Sequence, residues 1–370
     1  MQYNFTYYVH HHGAGHVTRA IAIAEQLIMS SDCAVTFLGT GLSSYKKEIP
    51  SQVKIIELPP DVPNDDDRHY CNQTLDHLHY SPLNVTGLLK RNSMLISHFN
   101  KNPQTICIVD VSCEVVQFAR LCGIPTVVIR QHGNRQDLTH KLAYNSAAYI
   151  IAPYTKSLSM NAEEGLYEDK TLFSGGFSRF DRIDVHEIQE DEEDNHIALL
   201  LGKGGSNLDI KFVKELRRQL PERYVLHILG DLHFAHSFHN IIVHGHVEKP
   251  HTVLKRCSVV ICNAGHNTVM EMASLGKRFI CIPASRPFAE QLVKASHLER
   301  LHLAVVVFEE QLFQADWVNI LHRAKKLQPA RLSGIIDKFA LEKIAKQLKL
   351  VYESFFFLPS CTKQRQPKYA

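Results

Sequence analysis

The apolar run Cys257-Ser258-Val259-Val260-Ile261-Cys262 stops at Asn263-Ala264-Gly265-His266-Asn267 and gives way to Thr268-Val269-Met270-Glu271-Met272-Ala273-Ser274-Leu275, with Gly276 behind it. A short unbroken run of this kind reads as a buried strand, and the segment after the turn reads as a helix that glycine ends. A strand that turns through glycine straight into a helix belongs to α/β architecture and leaves several backbone N–H groups free at the helix start. Those groups, with the positive end of the helix dipole, make a cradle for an anionic phosphate. Glu271 lies one turn into the helix, where a carboxylate in the dinucleotide sites of open α/β sheets takes a sugar hydroxyl. The same residues also read as a plain helix start, with Asn267 and Thr268 capping it and Glu271 as a capping-box partner.

Two more strand-to-glycine turns occur. Phe5-Thr6-Tyr7-Tyr8-Val9 runs into His10-His11-His12-Gly13-Ala14-Gly15-His16 and then an apolar-periodic helix over residues 17–27. Gly13 and Gly15 permit a tight turn and close approach of a ligand to backbone. Arg19 follows where the full dinucleotide fingerprint would continue to a third glycine. Ile197-Ala198-Leu199-Leu200-Leu201 leads into Gly202-Lys203-Gly204-Gly205-Ser206, which is not a phosphate loop of the Gly-x-x-x-x-Gly-Lys-Ser/Thr type because Ser206 does not directly follow a lysine. Further strands at 34–38, 53–58, 105–110, 126–130, 147–152, 224–229 and 241–243 alternate with helices, so the fold class is α/β with parallel, doubly wound sheets. The strand at 147–152 is expected to be the last of a first domain.

After Lys277 a strand Arg278-Phe279-Ile280-Cys281-Ile282 leads to Ala284-Ser285-Arg286-Pro287-Phe288-Ala289-Glu290-Gln291. Strand, glycine turn, helix, strand and a loop ending in Glu-Gln resemble the donor-binding segment of nucleotide-sugar glycosyltransferases with the GT-B fold. The likeness is to both the peptidoglycan lipid-intermediate N-acetylglucosaminyltransferases and the natural-product and plant UDP-sugar transferases. It implies two Rossmann-like domains facing across a cleft. Gly265, His266, Asn267 and Thr268 would then hold a diphosphate, Glu271 a ribose, and Glu290 with Gln291 the hydroxyls of the sugar. Gly204, Gly205 and Ser206 are similar to the Gly-Gly-Ser turn of these transferases, and His246 and Val247 fall where family members flank the base. The loop Gly13 to His16 is similar to the Gly-x-Gly-His loop that opens their acceptor domain, with a functional histidine at His16. The plant-type enzymes carry a histidine where this chain has Asn263.

An imidazole of ordinary pKa near 6.5 can take a proton from an acceptor hydroxyl at neutral pH, so His16 is the candidate catalytic base. It could instead cap the helix or orient the loop. Asp110, Glu114, Arg130 and His132 stand at or just beyond the carboxyl ends of strands, where open parallel sheets gather ligands; they are candidate acceptor contacts or partners that orient His16. Glu114 would also be a favourable charge at a helix start. His10, His11 and His12 are not expected to bind metal, since successive strand residues point to opposite faces and no acidic or Cys ligand accompanies them.

The 370 residues are enough for two α/β cores, and a formal charge of +3 without a Lys/Arg-rich tract gives no footing for nucleic acid. Nine cysteines, with Cys107, Cys257, Cys262 and Cys281 in apolar strands and no Cys-x-x-Cys pair, point to free thiols in a reducing cytosol. No apolar run approaches the ~20 residues that span a bilayer. The expected organisation is a first, acceptor-binding domain over 1–176, an acidic linker over 177–195, a donor domain over 196–333, a helix over 334–358 crossing back to the first domain, and a tail over 359–370. Ile336, Phe339, Ile344, Leu348, Val351 and Phe355 are expected to share that helix's apolar face. Phe355-Phe356-Phe357 would pack on the first domain or touch a membrane. Residues 61–79 read as a long polar loop. The function expected is an inverting, metal-independent glycosyltransferase that needs no cofactor beyond its nucleotide-diphosphate sugar, most naturally a UDP-sugar, and a small-molecule or lipid-linked acceptor. A location in the cytoplasm, or peripheral to the inner face of the membrane, would suit it. The alternatives are a nucleotide-sugar hydrolase or 2-epimerase on the same fold, and a non-catalytic nucleotide-sugar-binding subunit.

Overall fold

A computed structural model describes residues 2–11, 13–159, 162–181, 192–202, 208–232 and 238–357. The first half forms seven parallel strands: β1 (Tyr3–Tyr8), β2 (Cys33–Gly39), β3 (Lys54–Glu57), β4 (Ile106–Asp110), β5 (Thr126–Ile129), β6 (Tyr149–Ala152) and β7 (Thr171–Phe173). Helices α1 (Ala14–Ile28), α2 (Thr86–Lys101), α3 (Cys113–Leu121) and α4 (Leu138–Ser146) cover the sheet. The second half forms six: β8 (Glu193–Leu200), β9 (Val225–Leu229), β10 (Ile241–Gly245), β11 (Cys257–Cys262), β12 (Phe279–Cys281) and β13 (Val305–Val306). Its helices are α5 (Ile210–Gln219), α6 (Pro250–Arg256), α7 (His266–Ser274), α8 (Glu290–Arg300), α9 (Trp317–Lys325), α10 (Pro329–Ser333) and α11 (Ala340–Phe356).

The strand orders are β3-β2-β1-β4-β5-β6-β7 and β10-β9-β8-β11-β12-β13. In both, direction along the sheet reverses between two central strands: β1 and β4 in one, β8 and β11 in the other. Open α/β sheets bind ligands outside the carboxyl ends of strands at such switch points. Helix α1, which follows β1, carries His16, β4 ends in Asp110, and β11 runs into the turn at Asn263 to Gly265. Topology alone therefore brings the three motifs to the two places where a crevice can form.

Each sheet is buried on both faces, as a parallel sheet must be. Phe5 and Tyr7 of β1 pack with Ile23 and Leu27 of α1 and with Ile344, Leu348 and Val351 of α11, whereas Tyr8 and Val109 face Val116 of α3 and Ala143 of α4. In the second sheet Val260 faces Val269 and Met272 of α7, and Val259 and Ile261 face Phe212 and Trp317. The four cysteines expected in strands are buried and free. Among the described residues, no helix is long and apolar enough to cross a membrane.

Three expectations change. The first sheet gains β7 beyond the strand expected to close it. The final helix begins at Ala340, not Gly334, and its buried stripe is Ile344, Leu348, Val351 and Tyr352. Phe339 and Phe355 are each about half exposed, because the stripe has rotated past them, while Phe356 and Phe357 pack against the first core. The end of the acidic run is not solvated linker: β8 starts at Glu193, which pairs with Arg256, and Glu192 meets Lys277 and Arg278.

Across β8, β9 and β10 lies a row of histidines. His227 Nε2 is 2.9 Å from His196 Nδ1, its Nδ1 is 3.0 Å from His244 Nε2, and His196 Nε2 reaches Glu193 at 2.9 Å. Neutral imidazoles can alternate donor and acceptor along such a row, and protonating the middle one sets donor against donor. Burial, then the neighbouring His196 and His244, lower the pKa of His227 from 6.5 to about 4. A depressed histidine gives stability that is whole above the unfolded value and lost as pH falls toward the folded one. Urea unfolding should therefore show stability falling from pH 6.5 to 4. The slope in the His227→Gln variant should be shallower, by up to about 1.4 kcal/mol per pH unit.

Candidate active site

Gly13, at φ 85°, turns the chain out of the strand and into α1. His16 and Arg19, three apart and on one face of that helix, both look at the end of β4. Arg19 Nη2 donates to Asp110 Oδ1 at 2.7 Å and Oδ2 at 2.9 Å, its Nε to Oδ2 at 3.2 Å, and His16 Nδ1 lies 3.1 Å from Oδ1. Arg19 is 3% exposed and Asp110 is wholly buried. Burial would raise the Asp110 carboxyl, but the Arg19 guanidinium and then His16 hold it well below the usual carboxylate range. His16 Nδ1 also lies 3.1 Å from Arg19 Nη2; in the tautomer with its proton on Nδ1, Asp110 accepts it and the lone pair is left on Nε2.

In the second domain, α7 starts at His266 with no side-chain cap. Its entry turn is built from within: Asn263 Oδ1 accepts from Gly265 N–H at 2.9 Å, and Gln291 Oε1 accepts from Ala264 N–H at 3.1 Å and Ala284 N–H at 2.9 Å. Among the described residues, the N–H groups of His266, Asn267 and Thr268 have no protein acceptor. The wholly buried Lys294 donates to Ala264 O at 3.1 Å and stands 3.6 Å from Glu290 Oε1. Burial lowers its pKa, against the pull of Glu290. Glu271 is buried, which pushes its carboxyl up, and pairs with Arg179 Nε at 2.9 Å. Arg179 reaches it because Ser178 and Asp181 bond Ser274 at the far end of α7.

The two halves meet. Asn267 Nδ2 donates to Gly15 O at 3.5 Å, and the rings of His132 and His266 lie 6.3 Å apart. Gln131, its amide oriented by its neighbours, accepts from Arg19 Nη2 at 2.8 Å and donates to Glu290 Oε2 at 3.0 Å. A hydrogen-bonded chain Asp110–Arg19–Gln131–Glu290 thus crosses the cleft. Neither ring nitrogen of the buried His132 has a partner among the described residues. Burial first and Lys294 next keep both His132 and His266 well below the ordinary histidine pKa, so both are neutral donors or acceptors at pH 7.

Of the residues expected from sequence, His16, Gly15, Asp110, His132, His266, Asn267 and Glu290 come together here. Gly265 and Thr268 frame the helix start, and Glu271 lies on the same helix one turn on. Gln291 has its oxygen committed to backbone. Two candidates face elsewhere: Glu114 accepts from the N–H groups of His79 and Tyr80 and so tethers the 61–85 loop, and the Arg130 guanidinium stacks on Tyr144 at 5.5 Å. The reason is geometric, since both point to the α3–α4 side of the sheet. His246 is exposed and Val247 half-buried after β10. Gly204, Gly205, Ser206 and His12 lie outside the described residues. Sequence reasoning missed Arg19, Gln131, Arg179 and Lys294 as site residues. Arg19 alone left a signal, a cation three residues beyond His16 on an otherwise apolar helix face.

Beside the cleft, His79, Cys113 and His140 bring one ligand-type atom each within 4.8 Å of one another. Asp137 accepts from His79 Nε2 at 2.8 Å and His140 Nδ1 at 2.6 Å, and Arg135 donates to His140 Nε2 at 2.9 Å. This geometry is that of a hydrogen-bonded cluster around Asp137.

Residues 198–348 match the glycosyltransferase family 28 C-terminal domain. Over 208 residues the chain is 26% identical to the UDP-N-acetylglucosamine–N-acetylmuramyl-(pentapeptide) pyrophosphoryl-undecaprenol N-acetylglucosamine transferase of Streptococcus gordonii, covering 55% of this chain and 58% of that protein's length. The chain thus spans less than two thirds of that relative. The enzyme of the same description from Alkaliphilus metalliredigens is 23% identical over 368 residues, covering 91% and 94%. Among solved structures, the kitacinnamycin glycotransferase superposes with a TM-score of 0.69 at 14% identity, over 95% of this chain and all of that one.

The buried pair yields a stability prediction. Asp110→Asn leaves Arg19 buried without a counter-charge and should cost about 3–5 kcal/mol in urea unfolding. Adding Arg19→Met to that variant should recover a large part of the loss.

Proposed function

We propose that this chain, a GT-B-type glycosyltransferase similar to the peptidoglycan N-acetylglucosaminyltransferases, moves a sugar from a UDP-sugar to an acceptor hydroxyl by a single inverting, metal-independent displacement. The observation that carries the reading is the juxtaposition of a carboxylate-backed histidine with an uncapped helix N-terminus across one cleft, Gly15 touching Asn267. In this reading His16 Nε2 takes the acceptor's proton while Asp110 holds the imidazole's tautomer and stabilises the imidazolium that forms. The acceptor oxygen bonds to the sugar's anomeric carbon as the bond from that carbon to the diphosphate oxygen breaks, and UDP leaves. The charge that develops on the diphosphate falls to the N–H groups of His266, Asn267 and Thr268. Glu271 holds the ribose once Arg179 gives way, and Glu290, fixed by Gln131, faces the sugar.

An acceptor with an apolar portion suits a groove of about 870 Å³ beside the first sheet, lined by Thr40, Leu58, Pro59, Pro60, Leu89 and Met94 among others. Arg91 ties that groove to the catalytic loop: it donates to Thr40 at 2.7 Å and pairs with Asp61, which in turn meets His11. The pyrophosphoryl-undecaprenol acceptor of the Streptococcus gordonii enzyme supports the same class of acceptor.

UDP at a hundred times its Kd should stabilise the protein by about 2.7 kcal/mol. His16→Ala should keep that stabilisation and lose about 10²–10⁴ in kcat. Glu271→Gln should do the reverse, weakening UDP binding more than about 10-fold with turnover of bound donor largely kept. Product with retained anomeric configuration, activity abolished by EDTA, or rapid release of free sugar from donor alone would each count against the reading.

A further inference from the structure

Pro287-Phe288-Ala289 belongs to the second domain, yet the Phe288 ring lies among side chains of the first. Its centroid is 4.8 Å from that of His79 and 4.7 Å, edge-on, from that of His140, and the Arg135 guanidinium carbon is 5.2 Å away. The backbone is seated as well. Asn134 N–H donates to Phe288 O at 2.7 Å, and a Cβ on Gly133, itself at φ 114°, would stand 2.7 Å from that same oxygen. Phe288 and Ala289 both adopt left-handed backbone, at φ 58° and 52°. Two successive non-glycine residues hold that conformation only where their surroundings over-determine it.

What Phe288 touches is itself anchored. Asp137 bonds both imidazoles, Arg135 bonds His140, and Glu114 grips the backbone of His79 at 2.6 Å, so the ring rests on the end of the 61–85 loop. Two residues further on, Glu290 meets Gln131 at 3.0 Å and stands 3.8 Å from Arg135. One short turn therefore joins the loop at His79 to the carboxylate that faces the sugar.

We propose that Phe288 is a positioning residue, an interdomain latch whose seating against His79, His140 and Arg135 holds the closed cleft and aims Glu290. Its effect on turnover rests on the transferase reading; its effect on closure does not.

Two variants on opposite walls test it, Phe288→Ala and Gly133→Ala, with Phe288→Tyr as the conservative control. Small-angle scattering should show a larger radius of gyration for both alanine variants than for the parent, with UDP affinity unchanged within about twofold, since the phosphate cradle is not touched. Transfer should lose about 10- to 100-fold in kcat/KM, the cost of a misplaced sugar-binding group, with the KM for sugar nucleotide rising where UDP affinity does not. Phe288→Tyr should restore both readouts. Parent-like scattering and transfer in Phe288→Ala, or equal impairment in the alanine and tyrosine variants, would overturn the latch. A parent chain that transfers no sugar would sink the transferase reading alone, and scattering would still judge the latch.

Discussion

The buried ion pair of Arg19 with Asp110 is the contact on which the first half of the cleft depends. Removing both charges from water is expensive, and attraction repays it only when geometry is good and the remaining polar atoms are bonded. Here three guanidinium–carboxylate contacts and the His16 imidazole saturate the carboxylate, which stays ionised where burial alone would neutralise it. The pair also spans the switch point, pinning the start of α1 over the end of β4, and through Gln131 it reaches the opposite domain. Val111, immediately after Asp110, is held at φ 76°, a conformation a β-branched residue rarely takes. The chain turns away there at once, which leaves the carboxylate at the mouth of the sheet.

The second domain solves the opposite problem. A phosphate cradle needs N–H groups without protein partners, and such groups are costly once buried. The turn before α7 therefore satisfies only the donors that must stay buried: Gln291 takes Ala264, and Asn263 takes Gly265. The next three have no acceptor among the described residues, as the proposed cradle requires. The asparagine that stands where plant-type transferases have histidine has a clear local use here, bonding the turn rather than facing outward. Lys294 beneath the turn adds positive charge without exposing a competing donor, while burial first and Lys294 next keep His132 and His266 neutral and able to hydrogen-bond without adding like charge of their own.

How much of this could be read from the residues follows from the range of the interactions. The strand–turn–helix units at β1 and β11 were legible because apolar runs, glycines and helix periodicity are local signals. His16 and Asp110 were legible separately, as a loop histidine and a strand-end acid; that they touch depends on β1 and β4 being neighbours across 94 residues of chain. Glu114 and Arg130 carried the same strand-end signal and point the other way, because position along a strand does not say which side of the sheet the next turn takes. Lys294 and Gln131 gave no signal at all: one reads as an ordinary helix lysine, the other as a loop polar, and only tertiary burial distinguishes them. The last helix was misjudged by its start, since Phe339 and Phe355 fit the hydrophobic period yet lie off the stripe that α1 covers.

Closure of the cleft has a physical consequence of its own. Gly15 and Asn267 meet through a long bond of 3.5 Å, the glutamine bridge runs through one amide, and the Arg135–Glu290 pair is at 3.8 Å; each is a contact that water can replace at little cost. The seated aromatic ring is different, because opening would return its face to solvent and nothing polar compensates for that. The ring is not alone in this: Ala152, Tyr154 and Leu158 of the first half share one buried apolar cluster with Leu254, Met270 and Leu298 of the second. The hydrogen bond to Gln131 sets where Glu290 stands, and the Phe288 ring adds apolar contact at the mouth of the cleft to that of the buried cluster.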